Sequence, residues 1–160
     1  MNKQTLRFRP ASEDDFEGCL AIDHSYRIRR VWQLLVAEQD NAKKITFQTV
    51  NLPQETAVSY PYAAEELVKR WCACEWFWVG EENASTAHGR NGRLQAYITA
   101  ATEKLTPTAW IYDLAVAPEF RRQGYGSHML NLAADWARQQ QAHQLMLALP
   151  MKNDPAMSFL

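Results

Sequence analysis

The sequence predicts a single α+β (mixed α/β) domain over residues 1–160, and three observations support this fold class. Strand-like and helix-like segments follow one another in the order β-α-β-β-α-β-β-β-α-β-α, which is typical of a sheet covered by helices. With 160 residues the chain is long enough to bury one substantial core. Its 47% hydrophobic and 22% charged residues are ordinary for a soluble globular protein, which argues against a disordered or fibrous chain.

The first half of the chain begins with a strand over Thr5–Pro10, where apolar and polar residues alternate. Ser12 is a suitable N-cap, and the acidic residues after it predict the first turn of a helix. Two β-rich runs, Val31–Val36 and Ile45–Val50, are separated by polar residues and predict a long hairpin. A helix through Trp32–Glu38 is the alternative for this region.

The next helix is predicted after Pro61, which is suited to a first helical position. Leu67, Val68 and Trp71 lie on one side of it at helical spacing. The spacing of Cys72 and the neighbouring cysteine is not that of a zinc site, so reduced thiols are expected here.

The second half contains three strands, one long helix, a buried strand and a last helix. The strands are predicted over residues 75–82, 93–102 and 108–116, the third being apolar enough to be covered on both faces. Apolar spacing predicts the long helix over Gly126–Gln141. A buried strand follows over Gln144–Leu149, and Asn153 or Asp154 caps the final helix.

Glycines and arginines stand where the third of these strands leads into the long helix, at Arg121–Ser127. The first turns of a helix leave backbone N–H groups without helical carbonyl partners, and the helix dipole adds positive charge there. Gly124 and Gly126 have no Cβ and would let a bulky anion approach the main chain, while Arg121 and Arg122 can supply mobile charge. This arrangement predicts a phosphate or diphosphate site. A plain turn, in which the glycines only relieve crowding, is the alternative.

Two common phosphate motifs do not fit these residues. The P-loop requires a lysine after its last glycine, and the dinucleotide fingerprint requires a third glycine that is absent after Gly126. The net charge of −1 gives no general attraction to nucleic acid or an acidic membrane, so neither partner is expected. The N-terminal residues contain no long apolar run, so neither a signal peptide nor a membrane span is predicted and a cytoplasmic location is expected.

The segment from Asp113 to Phe159 resembles the GNAT family of N-acetyltransferases. Arg121-x-x-Gly124-x-Gly126 matches the family's Arg/Gln-x-x-Gly-x-Gly/Ala motif, and the strand before it resembles the family's strand in sequence. Asn153, together with Ala156 and Phe159, resembles the start of the family's asparagine helix. The hairpin region is similar to the streptothricin-acetyltransferase-like branch. The resemblance implies a central, mostly antiparallel sheet flanked by helices.

The resemblance also implies acetyl-coenzyme A as the cofactor and transfer of its acetyl group to a primary amine of a small molecule by direct attack. The implied cofactor-binding residues lie on the strand, the glycine loop and the last helix: Leu114, Ala115, Val116, Arg121, Arg122, Gln123, Gly124, Tyr125, Gly126, Ser127 and Asn153. Direct attack needs a neutral amine, so a base must remove a proton. Asp113 and Glu81 are the candidate catalytic bases, with Glu82 near them.

The chain departs from the family pattern in two places. Leu160 stands where the family usually has a tyrosine that protonates the leaving thiolate. Relatives continue through the last helix and two further strands, so we expect an incomplete domain that lacks them. The strand Gln144–Leu149 would then be an exposed edge, through which we expect a homodimer or strand exchange. A non-catalytic CoA-binding module, or an interaction domain whose glycine loop is only a turn, are the competing functions.

Overall fold

The computed structural model describes residues 5–39, 41–60, 62–82 and 92–160. The elements in chain order are β1 (Leu6–Pro10), α1 (Phe16–Leu20), β2 (Tyr26–Gln39), β3 (Ala42–Val58), α2 (Ala64–Ala73), β4 (Trp76–Glu82), β5 (Leu94–Thr102), β6 (Thr108–Val116), α3 (Tyr125–Gln139), β7 (Gln144–Leu147) and α4 (Asp154–Met157). This order confirms the predicted one, and the hairpin of β2 and β3 confirms the strand interpretation over a helix at Trp32–Glu38.

Contacts divide the chain into two compact units. The sheet unit comprises Met1–His24 and Pro61–Ala148, and the ribbon unit comprises Ser25–Tyr60 and Leu149–Leu160. That both belong to one domain over residues 1–160 stays a prediction.

The sheet unit is built on five strands in the order β1-β4-β5-β6-β7. Neighbouring strands are antiparallel except β6 and β7, which are parallel and joined through α3. The mostly antiparallel, helix-flanked sheet is therefore confirmed. On one face α3 buries Met129, Ala133 and Ala137, which repeat at helical spacing.

The other face of the sheet carries α1 and α2. The rings of Phe16, Trp71, Phe77 and Tyr97 lie within 6 Å of one another in successive pairs, with centroid distances of 5.5 Å, 5.7 Å and 5.9 Å. Aromatic pairs at such distances add to the stabilisation from burial. This cluster fixes α1 and α2 over β4 and β5.

The structure corrects two predictions about the strands. Strand β6 is covered only in part, with four of its nine residues buried, whereas β5 buries eight of its nine. On β6 the side chain of Tyr112 is 48% exposed. Strand β7 is also shorter than the predicted Gln144–Leu149, and it alternates exposed and half-buried residues because it lies at the edge of the sheet.

Ser12 is the N-cap of a 3-10 turn at Glu13–Asp15 that leads into α1, and the N-cap of α1 itself is Asp15. The backbone N–H of Ser12 donates to Asp15 Oδ2 at 2.8 Å. Pro61 lies outside the described residues, and α2 begins at Ala64 with Ala63 as N-cap.

The ribbon unit consists of the β2–β3 hairpin and α4. Arg30 Nε and Trp32 Nε1 on β2 donate to Asp154 Oδ1 at 2.8 Å and 3.1 Å, which ties α4 to the ribbon. Side chains on one face of the ribbon are apolar and partly exposed: Trp32, Leu34, Val36, Ile45 and Phe47.

Candidate active site

The sheet opens between β6 and β7. The two strands pair only from Thr108 with Gln144 to Ile111 with Leu147. Strand β6 continues along β5 to Val116, so among the described residues its far side has no neighbouring strand beyond Ile111. We call Tyr112–Val116 the open edge of β6. A strand edge presents backbone N–H and C=O groups that a second extended chain can bind.

Register divides the side chains of the open edge between the two faces of the sheet. Asp113 is opposite Thr99 and Ala115 is opposite Tyr97, which places all four on the face covered by α2. Leu114 lies opposite Ile98 and projects toward α3, as does Val116. Side chains along this strand therefore alternate between the two faces.

The loop after β6 turns sharply before α3. Arg122 has φ +61° and Gly124 has φ +89°, so two left-handed residues flank Gln123. Alternation of this kind directs successive N–H groups toward one side and forms an anion-binding concavity. The left-handed conformation is costly for a residue with a Cβ such as Arg122, and such strain is concentrated at functional sites.

Helix α3 begins at Tyr125, one residue before the predicted Gly126, with Gly124 as N-cap. His128 N donates to Gly124 O at 3.0 Å, the bond that opens the helix. The amides of Gly126 and Ser127 precede that bond and have no carbonyl of an earlier helical turn to bind. A Cβ built on Gly124 would meet no atom within 4 Å, so the main chain is bare on this side. We call Arg122–Ser127 the cradle.

Arg121 does not supply mobile charge, and that expectation is wrong. Its Nε donates to Val116 O at 2.8 Å and its Nη2 donates to Asp23 O at 3.0 Å. Burial lowers the pKa of this guanidinium. Arg121 therefore ties the end of β6 to the segment after α1, whereas the side chain of Arg122 is exposed at the cradle.

Asp113 is buried on the α2 side of the sheet, with 4% of its surface exposed. Arg70 Nη2 lies 3.2 Å from Oδ1, and Thr99 Oγ1 donates to Oδ2 at 3.2 Å. The same Arg70 nitrogen donates to Tyr112 O at 3.0 Å, where β7 has already ended. Arg70 thus links α2 to the first residues of the open edge.

Glu81 lies on β4, separated from Asp113 by β5, so the structure does not bring the two candidate bases together. Arg7 Nε is 3.3 Å from its Oε1, and Arg9 Nε is 3.1 Å from its Oε2. Arg9 also bonds to Asp15, and that bond raises the pKa of Arg9 while lowering the pKa of Asp15.

Asn153 lies in the ribbon unit and caps α4. Its Oδ1 accepts a hydrogen bond from Ala156 N at 3.3 Å, which confirms the predicted capping role. Contact of Asn153 with the cofactor stays a prediction.

The sequence interpretation missed Arg70, which was one charged residue on a predicted helix. Arg70 belongs to no motif, because it meets Tyr112 and Asp113 only where α2 packs beside β6. The part of the chain that the structure describes holds no group of three or more His, Cys, Asp or Glu residues able to bind a metal ion. Its described helices are all too short or too polar to cross a membrane.

The comparisons with known proteins agree with this geometry. A model of the Acetyltransferase (GNAT) family matches residues 46–160. The crystal structure of nourseothricin acetyltransferase superposes with a TM-score of 0.78 at 21% sequence identity, covering 97% of this chain and 79% of that one. No match was found among curated protein sequences.

Two further structures share the fold. A Bacillus anthracis str. Ames protein assigned as a streptothricin acetyltransferase, in complex with acetyl coenzyme A, gives a TM-score of 0.68 at 18% identity, covering 97% of this chain and 81% of that one. The ribosomal-protein-S18-alanine N-acetyltransferase from Escherichia coli gives a TM-score of 0.62 at 12% identity, covering 96% and 72%.

Proposed function

Because the chain belongs to the acetyltransferase (GNAT) family, whose members use acetyl-CoA, we propose that it moves an acetyl group from acetyl-CoA to a primary amine of a small molecule by direct attack. The cradle at the start of α3 is the observation that carries this proposal. It lies directly after the open edge of β6, so an anion site and an exposed backbone edge follow one another along the chain.

The residues of the cradle fit a diphosphate. Gly126 and Ser127 offer main-chain N–H groups at the positive end of a fifteen-residue helix. Arg122 adds an exposed positive charge, and the bare face of Gly124 lets a bulky anion approach the backbone. These groups would hold the diphosphate of coenzyme A largely through the main chain.

The open edge of β6 suits the amide-bearing arm of the cofactor. Leu114, Ala115 and Val116 would line it, and those of their backbone groups that face away from β5 would pair with it as a strand pairs with a neighbour. Val116 O already accepts from Arg121 Nε, so its N–H is the group left for this pairing. Bound there, acetyl-CoA supplies an activated thioester carbonyl. A backbone N–H directed at that carbonyl oxygen would stabilise the negative charge that develops during attack.

Attack requires a neutral amine, and Asp113 is proposed to assist loss of the proton, either by its charge or by taking the proton itself. Its position on the open edge places it beside the residues assigned to the cofactor arm. Glu81 is the second proposed base. Glu81 contacts an arginine through each of its two oxygens. Asp113 contacts Arg70 through one oxygen and the Thr99 hydroxyl through the other. Either carboxylate must therefore give up a contact to receive a proton.

A small amine is favoured over a protein acceptor because nourseothricin acetyltransferase has the highest TM-score of the structures compared above. Because one of these structures is a ribosomal-protein acetyltransferase, peptide amino termini must be tested beside small amines. The assay panel should therefore contain basic antibiotics, polyamines, amino acids and short peptides.

The test is thiol release from acetyl-CoA over that panel, together with calorimetric titration of CoA. Gly124→Asp would place a carboxylate against the phosphates and is expected to weaken CoA binding at least 100-fold. Gly124→Ala is the matched control, because it introduces the same backbone strain at φ +89° without the charge. A small loss in the alanine variant and a large loss in the aspartate variant would support phosphate binding at the cradle.

Two outcomes would contradict the proposal at different levels. CoA binding without turnover of any amine would favour a non-catalytic CoA-binding module. Equal CoA binding by wild type and Gly124→Asp would mean that the glycine loop is a turn that does not bind the phosphates.

We also propose that copies of the chain associate through the edge strand β7, on which Met146 is 39% exposed. Size-exclusion chromatography across micromolar concentrations should show a concentration-dependent shift, and Met146→Lys should abolish it. A constant monomer position for the wild type would contradict this.

A further inference from the structure

His24 and Tyr97 form a hydrogen-bonded pair that the mechanism above does not use. His24 Nε2 lies 2.9 Å from the Tyr97 hydroxyl, and the two rings meet edge to face at 5.6 Å. A hydrogen bond to the Ile22 backbone raises the pKa of the imidazole. We assign the ring proton to Nδ1, so that Nε2 accepts the Tyr97 O–H.

The pair lies beside the open edge of β6. Tyr97 is opposite Ala115 and shares its face of the sheet with Asp113. The segment that carries His24 is tied to the start of the cradle, because Arg121 donates to Asp23 O. The Tyr97–His24 hydrogen bond thus leads from a buried hydroxyl on the strand next to the open edge to a half-buried ring.

The two members differ in their access to solvent. Tyr97 is 0% exposed, whereas His24 is half-buried. A proton released inside the site needs a route that does not admit bulk water, and a buried hydroxyl bonded to a half-buried imidazole provides one. In one transfer the hydroxyl can receive a proton while donating its own to the imidazole.

Charge around His24 permits it to accept a proton and then to hold it. Burial lowers the pKa of His24 from its ordinary 6.5, which keeps the ring neutral near pH 7. The charges of Asp113 and Asp23 favour the imidazolium, while Arg121 opposes it. A neutral base that is stabilised once charged is suited to general base catalysis.

We propose that Tyr97 and His24 form the relay that removes the proton from the acceptor amine. This inference rests on the proposed acetyltransferase function. The Tyr97 oxygen takes a proton from the amine through water, as the phenolic proton passes to His24 Nε2. The half-buried imidazolium then loses one proton to solvent, and exchange of its remaining ring proton, together with rotation of the Tyr97 hydroxyl, restores the starting state. Asp113 contributes by its negative charge.

Kinetics of two conservative variants test the relay. Tyr97→Phe keeps the ring that packs on Trp71 and Phe77 but removes the hydroxyl. His24→Gln keeps a hydrogen-bond acceptor but cannot take up a proton. We expect each to lower kcat about 100-fold with the KM for acetyl-CoA unchanged. The double variant should be no slower than the slower single variant, because both residues serve one path.

The pH dependence separates a relay from a structural role. In the wild type kcat should fall as the pH drops through the pKa of His24, because only the neutral ring accepts a proton. That acid limb should disappear in His24→Gln. His143→Gln is the control, because His143 lies on the turn before β7, where its N–H bonds to Pro107 O.

Nitrogen-15 spectra of the His24 ring test the same inference without turnover. The neutral ring with its proton on Nδ1 should persist at pH 7, and Tyr97→Phe should shift the Nε2 resonance. A charged ring at pH 7, or turnover with kcat and pH profile unchanged in both variants, would overturn the relay alone. Absence of turnover in the wild type, with CoA bound, would overturn the proposed function and the relay with it.

Discussion

The sheet unit and the ribbon unit are both built from antiparallel strands, yet they are stabilised differently. In the sheet unit β5 is buried on both faces and helices cover the sheet on each side. In the ribbon unit two strands pair along 13 residues, and large apolar side chains on them stay about half exposed. A two-stranded ribbon is marginal in water, so polar contacts such as those of Asp154 carry more of its order. Burial specifies the first unit, and local pairing specifies the second.

The same substitution in both units should give the largest contrast. Ile98→Thr replaces an ethyl group with a hydroxyl in β5 at a residue that is 0% exposed. We expect a loss of about 3 kcal/mol in the free energy of unfolding. Urea denaturation followed by circular dichroism measures it, and a loss below about 1 kcal/mol would mean that the sheet core repacks around the change.

The Arg9–Asp15 pair should give the next effect and a pH signature. Asp15→Asn is expected to cost about 1–3 kcal/mol at pH 7, because a charge-assisted bond at 2.8 Å is lost. Arg9 lowers the pKa of Asp15 below its ordinary 3.8, so this stabilisation is present above pH 3.8 and is lost as the pH falls through the folded-state pKa. The stability gap between wild type and variant should close at low pH. A constant gap from pH 7 to 3 would contradict the assignment.

A smaller loss is expected where α4 joins the ribbon. Asp154→Asn weakens the bonds from Arg30 and Trp32 and should cost about 1 kcal/mol. Asp135→Asn is the control, because its pair with Arg138 is exposed on both sides and should be worth about 0.5 kcal/mol or less. Thermal melts of the two variants measure both losses, and the melting temperature should fall more for Asp154→Asn than for Asp135→Asn. Equal shifts would mean that the ribbon gains nothing from its polar contacts with α4.

The smallest effect is expected when the same isoleucine-to-threonine change is made in the ribbon unit. Ile45→Thr changes a residue of β3 that is 65% exposed, and threonine suits a strand. The free energy of unfolding should change by about 0.5 kcal/mol or less. A loss as large as that of Ile98→Thr would show that the apolar face of the ribbon is covered in solution, and the comparison between the units would fail.

The spacing of apolar residues and the positions of capping and turn residues were sufficient to predict the order of elements. Ser12, Asn153 and the apolar spacing of α3 act within a few residues, so their effects can be predicted locally. Burial of β5 and exposure of Tyr112 could not be predicted, because both depend on which strands become neighbours. A run of apolar residues looks the same at the centre of a sheet and near its opening.

The candidate site divides in the same way. The cradle was predicted because glycines at a strand-to-helix junction leave the main chain accessible next to the unpaired N–H groups of the first helical turn. The engagement of Arg121 with Asp23 and of Arg70 with Asp113 joins residues 98 and 43 positions apart, and no local pattern encodes such distances. Sequence alone therefore indicated where the cradle lies and left the proton chemistry open.

Arg121 reaches two carbonyl groups at once, on Val116 and Asp23. Its side chain has a fixed length, and it spans the turn that leads into α3. Inserting or deleting a residue between Val116 and Arg121 would therefore break one of the two bonds. This turn therefore does not tolerate a change of length, whereas substitutions of the exposed Glu119 side chain leave both bonds of Arg121 intact.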